Sequence, residues 1–242
     1  MYHLLSIATL LTAAVLLPTP VIAQEISLDL GEASLTLRTI QLFLLLTLLS
    51  VAPGLAIMIT CFPFMVTVLS ILRQAIGVQQ APPNMLIVSL ALFLTWFVME
   101  PVFREAWAIG IDPLLAGALE PEVALRSALE PFERFMSARV EPEFVEILSD
   151  ARSAQTEVVP GVIPLSLLVP SFLLTEVQRA FEVGFLIFLP FLVIDLVIAA
   201  ILMSMGMMMV PPVIVSLPFK LAFFVLADGW ALLAGALVTG YS

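Results

Sequence analysis

Charged positions divide the chain into long apolar runs and one polar block. Residues 1–23, MYHLLSIATLLTAAVLLPTPVIA, open with an apolar core from Leu4 to Leu17 that Pro18 and Pro20 break before Val21-Ile22-Ala23. This is the pattern of a secretory signal peptide cleaved ahead of Gln24, except that no Lys or Arg precedes the core; a retained N-terminal helix is the alternative. A short polar stretch follows, with Glu25, Asp29 and Glu32. From Thr39 to Leu72 there is no charge at all. That run is too long for one simple span of about 20 residues. Pro53-Gly54 and Pro63 interrupt it, which predicts two helical pieces or one kinked span with a lead-in helix. Arg73 ends the run, and GVQQAPP (Gly77–Pro83) reads as a loop. Asn84–Phe103 is the next span, with Trp96 towards its end and Trp107 just beyond, where aromatic belts form.

Residues 104–157 break the pattern. Of the 19 acidic residues, 12 lie between Glu100 and Glu157, interleaved with five arginines. Pro121-Glu122 marks a helix start, with proline in the first turn and an acid favourable to the helix dipole. Val123, Ala124, Ala128, Leu129, Phe132, Phe135 and Met136 recur at helical spacing, and Glu141-Pro142-Glu143 opens a further short helix carrying Phe144, Ile147 and Leu148. The stripe packs either on its own neighbours or on an adjacent subunit, since about 50 residues make a poor independent core. Val158–Leu174 is apolar again, but Pro160, Pro164 and Pro170 are expected to chop it into pieces. In Thr175–Glu182 the spacing of three places Glu176, Arg179 and Glu182 on one helix face. Then comes GFLIFLPFLVIDLVIAAILMSMGMMMVPP (Gly184–Pro212), and a last apolar run, Val213–Ser242, carrying Lys220 and Asp228. The resulting division is 1–23 leader, 24–103 N-terminal membrane region, 104–157 acidic helical segment and 158–242 C-terminal hairpin region. Four spans are expected, within 39–72 and at 84–103, 184–205 and 213–238. With a cleaved leader this puts the acidic block outside and Arg73 inside, a weak positive-inside signal.

Composition sharpens the reading. Hydrophobic residues make up 62% of the chain and charged residues 12%, with a mean hydropathy of +1.16. Soluble domains hold roughly 45–50% apolar and about 25% charged residues, so this is an integral membrane protein. The net charge of −10 and the absence of any basic cluster argue against nucleic-acid binding. One cysteine, Cys61, and one histidine, His3, supply no disulfide, no metal site and no Ser/His/Asp or Cys/His pair. No GxxxxGK[ST] loop is present. The chain therefore offers no catalytic residues, no metal site and no cofactor.

Two features carry candidate function. Asp195, Lys220 and Asp228 interrupt apolar segments, and such charges face a partner or a water-filled path. They serve ion or proton transport, or they serve as ion pairs that fix helix register or join subunits; no second acid beside Asp195 suggests a relay, which favours the pairs. Glu176 is a further candidate partner for Lys220. Met207-Met208-Met209 cannot all lie on one helix face, and Val210-Pro211-Pro212 follow. They either fill a core gap or form a loop of soft side chains that closes a hole and deforms around what passes.

Several stretches resemble the FliP family, core export-gate proteins of bacterial flagellar type III secretion related to the SctR proteins of injectisomes. PSFLLTEVQRAFEVGF (Pro170–Phe185) and PFLVIDLVIAAILMSMGM (Pro190–Met207) are similar to the family's two signature stretches. APPN (Ala81–Asn84), LALFLT (Leu90–Thr95), MMMVPP (Met207–Pro212), LPFKL (Leu217–Leu221) and DGW (Asp228–Trp230) also match. The resemblance implies an all-α membrane protein of long broken helical hairpins assembling into an oligomeric helical cone. It implies a ring of about five copies, with FliR-type and FliQ-type subunits around a conduit for unfolded flagellar proteins in the bacterial inner membrane. The cone stands largely out of the bilayer plane, on the periplasmic side. The family's methionine gasket maps onto Met207, Met208 and Met209, and an intersubunit salt bridge onto Glu176 and Lys220. Phe135 and Phe144 are the expected subunit contacts in the acidic segment. An injectisome gate subunit and a small-molecule or proton transporter are the rival readings; the latter calls for inverted repeats, and the sequence has none.

Overall fold

The computed structural model describes residues 32–78, 82–151, 163–207 and 209–241. Residues 1–23, where a leader is expected, the acids Glu25 and Asp29, Pro160 and Met208 lie outside the described residues. The chain divides into two units, residues 1–49 and 50–242. All described secondary structure is helical. In the first unit the described part is helix from Glu32 onwards, with Leu37, Phe43 and Leu46 exposed.

The helices in order are α1 (Glu32–Met58), α2 (Phe62–Ile76), α3 (Asn84–Ala106), α4 (Asp112–Leu115), α5 (Pro121–Ser137), α6 (Pro142–Ala151), α7 (Leu165–Ser204), α8 (Pro212–Leu226) and α9 (Gly229–Thr239). A π-helical turn, Trp107–Ile111, joins α3 to α4. Helix α2 shows how the second unit's core is made. Met65, Val68, Leu69, Leu72, Ala75 and Ile76 recur at the spacing of one helix face and are all buried. They share one buried cluster with Ile87, Ala91 and Leu94 of α3, Ala180 and Phe191 of α7, and Leu233 and Leu237 of α9. Gly184 lets α7 approach closely, because a Cβ there would stand 2.3 Å from the Ile71 side chain. Gly77, at φ 85°, ends α2, and its N–H reaches the Arg73 carbonyl. The Arg73 side chain then bridges the following turn by donating to Asn84 Oδ1.

The prolines act differently from the sequence expectation. The break in the first apolar run falls at residues 59–61, after α1 has passed through Pro53, and Pro63 sits in the first turn of α2. Pro170 does not chop the chain: α7 runs for 40 residues through both Pro170 and Pro190. Proline in a helix removes one hydrogen bond, and an apolar helix keeps its remaining bonds because lipid offers the backbone no alternative partner. The third expected span thus starts well before Gly184. The last apolar run is not a single helix, since α8 and α9 meet at a 62° bend. Asp228, at φ 51°, forms the corner.

Pro121 and Pro142 open α5 and α6 as their positions predict. The α5 stripe packs within this chain. Gly110 admits α5 so closely that a Cβ would sit 2.5 Å from Ala128 Cβ. Phe132 meets Phe103 edge-on at 5.6 Å, and Phe135 meets Phe172 at 5.8 Å. Val123 is exposed.

Three helical stretches, Leu37–Met58, Asn84–Leu115 and Leu165–Ser204, are long and apolar enough to cross a membrane, and the bent α8–α9 pair is a fourth candidate.

Candidate functional site

The loop between α7 and α8 begins before its prolines. Helix α7 stops at Ser204, and Gly206 turns left-handed at φ 73°. The Met207 N–H donates to the Leu202 carbonyl at 3.0 Å and the Gly206 N–H to the Met203 carbonyl at 3.1 Å. This is the Schellman arrangement, which needs glycine at its left-handed position. Gly206, inside the methionine run, is a local stop signal that the sequence carries. Pro211 then caps α8 and Pro212 opens it. Met203, Met205 and Met209 are exposed, Met209 at 97%, and Met207 is 38% exposed. The methionines flank a non-helical loop and have little of their own chain to pack on.

Behind the loop, α7 and α8 form an antiparallel pair tied by a polar contact. Lys220, 3% exposed, donates to Asp195 Oδ2 at 2.6 Å and to the Ala75 carbonyl of α2 at 3.0 Å. Ser216, one helical turn before Lys220, donates to Asp195 Oδ1 at 2.5 Å. The cation, the carboxylate and the carbonyl at the end of α2 thus satisfy one another. A buried charge needs such partners, since removing one strands the other. Phe191 of α7 meets Phe223 edge-on at 5.9 Å on the same seam.

A second polar contact lies further from the loop. Glu176 is fully buried, and Tyr241, just past α9, donates its hydroxyl to Glu176 Oε2. Arg139, in the turn after α5, donates to the Tyr241 carbonyl at 2.7 Å, and its guanidinium lies 3.9 Å from the Tyr241 ring centre. Burial, followed by the neighbouring Glu176 carboxyl, raises the Tyr241 phenol well above its ordinary value. In the same turn the Glu141 N–H donates to Thr175 Oγ1 at 3.1 Å.

The structure therefore distributes the sequence candidates over separate places. Asp195 and Lys220 come together. Within the chain Lys220 does not meet Glu176, whose partner is Tyr241. Arg179 stands 4.0 Å from Glu141, and Glu182 points outward and accepts from Gln178. Steps of three leave about 60° of rotation each, which fans Glu176 and Glu182 about 120° apart. Asp228 is an exposed corner residue. Phe135 is half-buried among Phe172, Tyr241 and Arg139, and Phe144 is half-buried on α6. Ser216, Ala75, Arg139 and Tyr241 went unread. Only Ser216 had a local signal, four residues before Lys220. Among the described residues no group of His, Cys, Asp and Glu is placed to hold a metal ion.

Apolar helices of membrane-crossing length, pinned by buried polar contacts and joined by an exposed methionine loop, define an all-helical membrane protein. The sequence matches the FliP family over residues 45–237, and the chain belongs to that family. It is similar to the flagellar biosynthetic protein FliP of Agrobacterium fabrum, 46% identical over 241 residues, covering 96% of this chain and 98% of that protein. The protein of the same name from Caulobacter vibrioides is 47% identical over 231 residues, covering 95% of this chain and 87% of its own. That of Bacillus subtilis is 44% identical over 204 residues, covering 84% and 92%. The family places the chain among membrane components of the flagellar export apparatus, which are not enzymes.

Proposed function

We propose that the chain is a core export-gate subunit of flagellar protein secretion. Copies of it, about five in a ring, join FliR-type and FliQ-type subunits in a helical cone. The cone surrounds the conduit for unfolded flagellar proteins in the bacterial inner membrane at the basal body. The acidic segment lies on the periplasmic side. Met207, Met208 and Met209 from the copies converge as a seal against ions and small molecules, and a passing chain pushes them aside because methionine changes rotamer readily.

The observation that carries this reading is the exposed, non-helical methionine loop between α7 and α8, whose side chains find little to pack on in their own subunit. The flagellar names of the relatives support the flagellar system over the injectisome. The test is replacement of Met207, Met208 and Met209 together by alanine. Assembly is expected to be unchanged while ion conductance through the reconstituted complex rises. Conductance equal to that of the unmodified complex would reject the seal.

A further inference from the structure

Helix α7 and the bent α8–α9 arm run antiparallel and meet at two places. Near the methionine loop, Asp195 meets Ser216 and Lys220, and Phe191 meets Phe223. Far from it, Glu176 meets Tyr241. Between these contacts the arm turns by 62°. There it leaves a cleft of about 840 Å3, with Val183, Leu186 and Ile187 of α7 on one wall and Leu232, Leu233 and Ala236 of α9 on the other. Helix α9 packs on α3 and α8. Along the cleft α9 is thus held mainly by helices other than α7, and the polar contact at the far end ties the chain end directly to α7.

Tyr241 is held from several directions there. Its hydroxyl donates to Glu176, its carbonyl accepts from Arg139, and its ring lies against Arg139 and edge-on to Phe64 at 5.3 Å. Glu176 depends on this bond. The residue is fully buried, and its second oxygen, Oε1, has no hydrogen-bond partner among the described residues. A buried carboxyl that loses its last hydrogen-bond partner is costly unless it is solvated, and Tyr241, which covers it, lines the cleft.

We propose that Tyr241 is a positioning residue. Clasped by Glu176 and Arg139, it sets the width of the cleft between α7 and α9, and through Arg139 it ties that width to the end of α5 in the acidic segment. The inference concerns the chain's own geometry and stands apart from the sealing role of the methionines.

The test uses the full-length chain in detergent micelles, with spin labels at Leu186 and Leu232, which are 65% and 66% exposed on facing walls. Pulsed electron resonance reads the distance distribution. Tyr241→Phe, which removes one oxygen, is expected to broaden the distribution and shift it to longer distances. Glu176→Leu is expected to do the same. The double variant is expected to be no wider than either single one, because both lose the same bond. Glu176→Gln keeps an oxygen that accepts from the phenol and is expected to hold the unmodified width. An unchanged distribution in Tyr241→Phe overturns the proposal. So does additive widening in the double variant, or Glu176→Gln as wide as Glu176→Leu. Should the Glu176 variants fail to fold, Tyr241→Phe decides alone.

Discussion

Lys220 is the residue on which most of the C-terminal hairpin's polar balance rests. Removing it takes the cation from Asp195, which keeps its bond from Ser216, and from the Ala75 carbonyl. Breaking a fully buried ion pair costs 3–5 kcal/mol, and Asp195, with its side chain 32% exposed, brings the expected loss for Lys220→Met to the low end, about 3 kcal/mol. Thermal unfolding in detergent measures it. Exchanging the charges, Lys220→Asp with Asp195→Lys, is expected to recover part of the loss, whereas Lys220→Glu with Glu176→Lys is not. Recovery by the second exchange in assembled complexes would instead favour the intersubunit bridge that the family resemblance implies. Cys61 offers a probe with a defined sign. Burial raises its thiol from 9.0 to about 12, so the folded chain holds the proton more tightly than the unfolded chain. Its contribution to stability is fully present below pH 9 and is lost as pH rises through about 12. At pH 8 the only cysteine is expected to resist maleimide in the folded chain and to react after denaturation.

Among the elements, the acidic segment depends on one close approach. The π-helical turn after α3 places Gly110 where a Cβ would meet Ala128 Cβ at 2.5 Å and the Ala124 carbonyl at 2.8 Å. The second contact is backbone, which cannot move aside alone. Gly110→Ala is expected to destabilise the α3–α5 packing by about 1–3 kcal/mol, the usual result of overpacking. Gly54→Ala is the matched control, since a Cβ there meets nothing within 4 Å. Limited proteolysis of the segment between Glu120 and Ala151 reads the difference, with cleavage faster in the first variant and unchanged in the second. The exposed pairs Arg104–Glu100 on α3 and Arg126–Glu122 on α5 contribute little, at most about 0.5 kcal/mol each.

Across the whole molecule, apolar side chains on the surface outnumber what water tolerates. Phe93, Trp96 and Phe97 of α3, Phe185, Leu186 and Val193 of α7, and Val225 and Leu226 of α8 are all exposed. Surfaces of this kind face lipid or partner chains. The native mass of the detergent-solubilised complex is expected to correspond to about five copies of the chain with smaller partner subunits. A stable monomer or dimer would reject a conduit shared between copies.

Much was legible in the chain itself. Uncharged runs of span length and prolines at the starts of α5 and α6 follow from local chemistry, so the all-helical membrane class could be read from the sequence. So could the non-helical methionine loop, because consecutive methionines before a proline pair cannot continue one face; the glycine that ends α7 was there to be read and was not. Choices made between distant segments were not legible. Pro170 lies inside a helix because its surroundings, and not its own preference, decide whether the lost hydrogen bond breaks the chain. Asp195 lies 25 residues from Lys220, and Tyr241 lies 65 from Glu176. Spacing cannot choose among several carboxyls for one buried cation. Only the packing of α2, α7 and the bent α8–α9 arm, which excludes water and leaves each polar group with the partner it faces, makes that choice.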